Sequence, residues 1–331
     1  MKRVLAFGEV MMRLGVPDHK LLQQTSQLDY LFSGTGVNIL SGLSHMGHET
    51  FIITALPDNR VGNVATGKLR EMGIGTEMIQ YEGDHIGIYI LETGYGARPS
   101  QVTYLNRSMS SFATYDYSGK IKDFDTMFMD VEMLHICGIA LIHDNTYKMA
   151  LKLVDEAKIR NVKVVFDCNY RASLWGNRDP QDVSKMYRSL FENADIVFAS
   201  YRDFALHAPD IVKDCDEEEA MFRVQEAFKI EYLCHTNRNL ETQEIEGCLY
   251  VNQKKYTSDS YKLEILDRVG GGDGFALGIL HGILENYDIE TCVEFGIGAA
   301  VLAHTTYGDP FVNDTKSVFN VINKYKLDLI R

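Results

Sequence analysis

Asp267-Arg268-Val269-Gly270-Gly271-Gly272-Asp273-Gly274 sets three consecutive glycines before a carboxylate, directly ahead of the apolar spacing Phe275, Leu277, Ile279, Leu280, Ile283 and Leu284. That spacing predicts a helix start. Glycines lack a Cβ, so successive backbone N–H groups can face one concavity, and the helix N-terminus adds about half a positive charge behind them. Such a turn receives an anion. Asp273 would be repelled by that anion unless it has chemical work, such as taking a proton from an attacking hydroxyl. The plainer alternative is a glycine-rich loop with an aspartate helix cap.

Ser33-Gly34-Thr35-Gly36-Val37-Asn38 is a second glycine turn, followed at helical spacing by Ile39, Leu40, Leu43 and Met46. Gly34 and Gly36 could open a dinucleotide fingerprint, but Ile39 holds the third glycine position and no acidic residue follows at the right distance. Gly62-Asn63-Val64-Ala65-Thr66-Gly67-Lys68-Leu69 misses a P-loop at Leu69, where a magnesium-holding hydroxyl belongs. It reads as a surface helix. His45 and His48 share a predicted helix face without a third metal ligand, and Asp309 in Tyr307-Gly308-Asp309-Pro310 reads as a turn residue.

The elements that must carry these turns begin with a strand over Val4 to Met12, ending near Gly15, and a polar, patchy stretch from Leu21 to Phe32. Runs at Gly87 to Leu91 and Val102 to Leu105 form a predicted hairpin. From Met133 onward strands and helices alternate, with strands ending near Ala140, Asp167, Ala199 and His235. That order predicts an α/β fold with a mostly parallel sheet flanked by helices, whose ligands sit beyond the strand C-termini. Asp167, Arg171, Ser200 and Asp203 fall at such ends. The β runs that interrupt the alternation predict a small sheet, a candidate lid, inserted at about residues 13–32 and 85–110 of one domain spanning 1–331.

A length of 331 residues with 45% hydrophobic and 24% charged content is that of an ordinary globular chain. The net charge of -13 argues against a nucleic-acid or anionic-membrane surface. Six scattered cysteines without ligand spacing read as reduced, and no stretch approaches a membrane span. A cytoplasmic protein with small-molecule partners is the expectation.

Taken together, the two glycine turns, the terminal carboxylate and the α/β order with β insertions resemble the ribokinase-like carbohydrate kinases of the PfkB family. The run from Asp267 to Asp273 is similar to that family's C-terminal signature, and Ser33 to Asn38 to its N-terminal substrate-binding signature. The resemblance implies ATP and Mg2+ as cofactors, Asp273 as the catalytic base, and the amides of Gly270, Gly271 and Gly272 as the anion hole. It also implies sugar contacts at Gly34 and Asn38, a place for Asp309 near the substrate pocket beside its simpler reading as a turn residue, and often a homodimer paired through the β lid.

Phe166 to Trp175, and Gly87 to Glu92 with Arg98-Pro99-Ser100, resemble the 2-keto-3-deoxygluconate kinase subgroup, whose tyrosines and arginines bind the sugar acid. By that resemblance Tyr89, Tyr104, Arg107 and Arg171 face the substrate, with Arg107 or Arg171 able to grip a carboxylate through parallel hydrogen bonds. Nucleotide contacts fall to Ser200, Asp203, Thr236 and Gly272, with Asp203 holding the metal through water. Where relatives carry Asn and Glu this chain has Ser200 and Asp203, so weakened metal binding is expected. Arg107 stands three residues after Tyr104 rather than two, which predicts a one-residue bulge. Competing readings are a fructokinase or ribokinase acting on a neutral sugar, and a sugar-binding regulatory protein with weakened phosphoryl transfer.

Overall fold

The structure is a computed structural model describing residues 1–323. Its main sheet of eleven strands runs in the spatial order Lys254–Thr257, Glu244–Val251, Tyr232–Asn239, Ile196–Phe198, Lys163–Asp167, Val131–Cys137, Arg3–Phe7, Glu49–Leu56, Ile74–Gly75, with Tyr261–Lys262 and Ile79–Tyr81 pairing off this path. Pairing is parallel from Tyr232–Asn239 to Ile74–Gly75 and antiparallel in the hairpins beyond.

The central strands are apolar on both sides because both sides are covered. Leu5, Phe7, Leu134, Ile136, Val164 and Phe166 pack into one core, while Val4, Ala6, Met133 and Val165 pack into the other. Alternate residues of one strand therefore belong to opposite layers. The second layer includes helices Thr35–His45, Gly271–Leu284 and Ile289–His304, most of whose residues are buried. Small residues bring the last two together: a Cβ on Gly278 would lie 2.8 Å from the Gly296 Cα, and one on Gly274 would lie 3.0 Å from the Ala299 carbonyl. Close packing of this kind leaves the helix little freedom to shift.

The expected single strand over Val4 to Met12 is two. The chain leaves the main sheet at Gly8, and Met11–Val16 enters a separate four-stranded sheet in the order Asp29–Ser33, Met11–Val16, Gly87–Glu92, Gln101–Leu105. Both halves are apolar, so hydropathy could not mark the break at Gly8-Glu9-Val10. The stretch read as patchy thus contains the strand Asp29–Ser33. Gly34, at φ 148°, packs so closely on the elbow that a Cβ would meet the Glu9 carbonyl at 2.2 Å. No helix among the described residues is long and apolar enough to cross a membrane.

Candidate active site

Gly270 adopts a left-handed conformation at φ 88° and precedes the helix Gly271–Leu284. The first backbone hydrogen bond of that helix runs from the Gly274 N–H to the Gly270 carbonyl at 2.7 Å, so the amides just before it have no helical acceptor. A Cβ on Gly271 would enter the His304 ring at 2.1 Å, whereas one on Gly272 would meet nothing within 4 Å. The loop is thus packed from behind and open in front.

In front lies a cavity of about 660 Å³ at the C-terminal ends of the parallel strands. All the residues singled out from the sequence line it: Gly34, Asn38, Tyr89, Tyr104, Arg107, Arg171, Ser200, Asp203, Thr236, Gly270, Gly271, Gly272 and Asp273. Two glycine turns far apart in the chain therefore face one space.

Asp273 stands in the first turn of its helix, and its Oδ2 accepts a hydrogen bond from Asn38 Nδ2 at 2.5 Å. Burial raises the Asp273 pKa to about 6, and the Asn38 bond opposes the rise by stabilising the charged form. Asp167, at the end of Lys163–Asp167, is pushed up to about 8 by burial and then by the charge of Asp273, with Arg171 acting against both. A carboxylate held near neutrality inside a cavity is the state suited to a general base. Asn38 Oδ1 is buried and has no hydrogen-bond partner among the described residues, which leaves an acceptor for a hydroxyl.

The two arginines differ. Arg107 Nε and Nη2 each lie 2.7 Å from Glu9 Oε2, and Ser110 Oγ donates to Glu9 Oε1 at 2.8 Å. Its charge is matched. Arg171 is exposed at the cavity and donates only to the Tyr170 carbonyl, at 3.1 Å, among the described residues. Two residues earlier Asn169 takes a positive φ of 36°, with its side chain donating to Thr35 Oγ1 at 3.0 Å.

The bulge expected near Tyr104 is absent: Gln101–Leu105 pairs with Gly87–Glu92 in unbroken register, Tyr104 opposite Tyr89. The extra residue is taken up beyond the strand, where Asn106 turns at φ 46° and Arg107 opens a 3-10 turn. Arg107 then stacks over the Tyr104 ring at 5.3 Å.

Asp203 Oδ2 accepts from the Ser200 backbone N–H at 2.7 Å and from Ser200 Oγ at 2.8 Å, capping the helix Tyr201–His207. Thr236 lies on the edge-side strand Tyr232–Asn239, opposite Gly247. His235 beside it is buried against Tyr250, and neither ring nitrogen has a hydrogen-bond partner among the described residues.

Sequence reasoning missed Glu9 as a partner of Arg107, and its simpler account of Asp309, a Gly-Asp-Pro turn, is incomplete. Asp309 lines the cavity, is 3% exposed and accepts hydrogen bonds from Arg13 and Tyr89. Burial raises its pKa while Arg13 draws it down. The paired histidines also differ from expectation. The helix ends at His45, and His48 turns away to contact His281, Nε2 to Nδ1, at 2.9 Å. No cluster of three or more His, Cys, Asp or Glu that could hold a metal occurs among the described residues.

Comparison with known proteins agrees with this fold. A chain from Enterococcus faecalis, assigned as a candidate 2-keto-3-deoxygluconate kinase, is 38% identical and superimposes with a TM-score of 0.94, covering 100% of this chain and 99% of that one. The 2-dehydro-3-deoxygluconokinase of Thermotoga maritima is 29% identical with a TM-score of 0.87, over 97% of this chain and 98% of its own. A 5-dehydro-2-deoxygluconokinase of Clostridium botulinum is 26% identical over 305 residues, covering 90% of this chain and 86% of its own. The family model of the pfkB carbohydrate kinases matches residues 1–316. With its ribokinase-like sheet, small second sheet and glycine-turn cavity, the chain belongs to the pfkB family of carbohydrate kinases.

Proposed function

We propose that this protein transfers the γ-phosphoryl group of ATP to a primary hydroxyl of a keto sugar acid, with 2-keto-3-deoxygluconate as the first candidate. The observation that carries the reading is Asp273: a carboxylate raised to about 6, bonded to Asn38, one residue past a row of open glycine amides. In this mechanism the sugar hydroxyl donates its proton to Asp273 as its oxygen attacks the γ-phosphorus in line, the bond from that phosphorus to the β–γ bridging oxygen breaks, and ADP leaves with the bridging oxygen. The amides of Gly270, Gly271 and Gly272 meet the negative charge that develops on the phosphoryl oxygens.

Gly34 and Asn38 hold the sugar hydroxyls, with Asn38 Oδ1 the open acceptor. Tyr89 and Tyr104 wall the sugar from the second sheet. Arg171 is the guanidinium left open for the acid group, and Arg107, already paired with Glu9, shapes the wall beside it. A carboxylate clamp favours a sugar acid over fructose or ribose, and the relatives' names, 2-keto-3-deoxy- and 5-dehydro-2-deoxygluconate kinases, are of the same chemical class.

ATP fits the cavity because Gly272 opens onto free space that a side chain would fill, with Thr236 beyond it. Mg2+ fits as a water-shelled ion: Asp167 and Asp203 face the cavity, yet no three-ligand cluster is preformed among the described residues. When bound, it neutralises the phosphate charges, and its presence would let Asp167 ionise.

A homodimer formed through the second sheet is part of the reading. Its outer strand Gln101–Leu105 is exposed throughout, with Val102 at 43% and Leu105 at 40%. Six unpaired cysteines suit a reducing cytoplasm. A coupled kinase assay over 2-keto-3-deoxygluconate, 5-dehydro-2-deoxygluconate, fructose and ribose tests the assignment. Preference for a neutral sugar would overturn the acid reading, and no ATP turnover with any of them would favour a sugar-binding regulator.

A further inference from the structure

We propose that Arg13 is a positioning residue for phosphoryl transfer, through which the second sheet holds the glycine loop in its working shape. The inference rests on the kinase reading above. Arg13 belongs to Met11–Val16 in the second sheet, is 7% exposed, and does not line the cavity. It touches no substrate position.

Its guanidinium instead joins two segments of the main body. Nη2 donates to Asp267 Oδ2 at 2.6 Å and Nη1 donates to Asp309 Oδ1. Asp267 opens the glycine loop and turns it, since Asp267 Oδ1 accepts the Val269 N–H at 3.1 Å. Asp309 floors the same loop: Gly270 sits so close that a Cβ would lie 2.7 Å from the Asp309 carbonyl. The entry and the floor of the anion loop thus share one cation.

Further contacts of Asp309 run toward the sugar end, Ser33 also bonding its carboxylate. Tyr89 donates to Asp309 Oδ2, and the Tyr89 hydroxyl lies 3.1 Å from Ser33 Oγ, next to Gly34. Two buried carboxylates without Arg13 would repel each other and draw the loop and the 309 segment apart. A planar fork can meet both carboxylates at once, whereas an ammonium offers a single point of charge. The arrangement makes the loop's amide directions depend on the docked position of a strand that also carries one wall of the sugar site.

The test compares wild type with Arg13→Lys, Arg13→Met and Arg13→Ala, reading kcat, KM, thermal midpoint and hydrogen exchange of the segment Asp267 to Gly274. The expected result is a fall in kcat of roughly 100-fold with sugar-acid KM within about threefold, because a small misplacement of the loop is felt in the transition state. Exchange of the loop amides rises in both variants. Guanidinium ion added to Arg13→Ala restores at least about tenfold of the lost kcat, by refilling the vacated fork position.

An unchanged kcat in folded Arg13→Lys would overturn the proposal. So would a raised sugar KM with kcat intact, which would make Arg13 a binding group. Where Arg13→Met fails to fold, Arg13→Lys and the guanidinium rescue decide. Should wild type phosphorylate no sugar, the kinase reading fails separately, and unaltered loop exchange in Arg13→Lys would still refute the bracing.

Discussion

The side-chain amide of Asn38 donates to the carboxylate of Asp273 across 2.5 Å, joining two glycine-turn helices whose contact residues stand 235 positions apart. Burial raises the pKa of this carboxylate, and the bond moderates the rise because it acts on the charged form.

The pH dependence of the reaction follows with a definite sign. Asp273 must be ionised to accept a proton, so kcat/KM should fall about tenfold per pH unit below about 6. Asn38→Leu removes a donor to the carboxylate, and the acid limb should move upward by roughly one pH unit. A pH profile of both proteins checks this, and an unmoved limb would show that Asn38 does not tune the base.

Arg171 should separate charged from neutral sugars. Arg171→Ala is expected to raise KM for a keto sugar acid by roughly 10- to 100-fold, the loss of a charge-assisted pair, while leaving any activity on fructose nearly unchanged. Steady-state kinetics on both substrates measures it. Equal losses on the two would remove Arg171 from the carboxylate role.

Neighbouring glycines should respond oppositely to one methyl group. At Gly271 a Cβ would meet the His304 ring at 2.1 Å, so Gly271→Ala should lower the thermal midpoint and displace the loop. At Gly272 no atom lies within 4 Å, so Gly272→Ala should leave the midpoint unchanged and raise the KM for ATP by occupying the cradle. Thermal melts alongside ATP titrations distinguish the two.

His48 and His281 give the fold an acid-sensitive seam. Burial lowers both pKa values, His281 to about 4, so the folded chain keeps them neutral while the unfolded chain binds protons from about 6.5 downward. Stability from this pair is therefore intact above pH 6.5 and lost progressively as pH falls toward 4. His281→Phe should flatten the fall of the thermal midpoint over that range, and an unchanged slope would place the acid sensitivity elsewhere.

The parts legible in the sequence were those encoded over short spans. Glycines at 270–272 and at 34 and 36, set before apolar helical spacing, specify their turns within a few residues, and the alternation after Met133 specifies parallel pairing. What escaped was encoded across the chain. Arg13 is one polar residue in a short strand, and its partners stand 254 and 296 positions away, so nothing local marks it as buried. Asp309 lies in a Gly-Asp-Pro turn whether it faces water or Arg13, and only tertiary packing decides between them. Glu9 was hidden inside an apolar run that continues across the change of sheet at Gly8, and the shift of Arg107 was absorbed by the Asn106 turn rather than by the strand.

The most direct test of the account is ADP formation from ATP with 2-keto-3-deoxygluconate, measured on wild type and on Asp273→Asn, alongside calorimetric sugar binding. The account predicts turnover by wild type and a loss of roughly 10²- to 10⁴-fold in the variant, the span expected of a missing general base, with sugar affinity within about threefold. Turnover by Asp273→Asn close to that of wild type would contradict it.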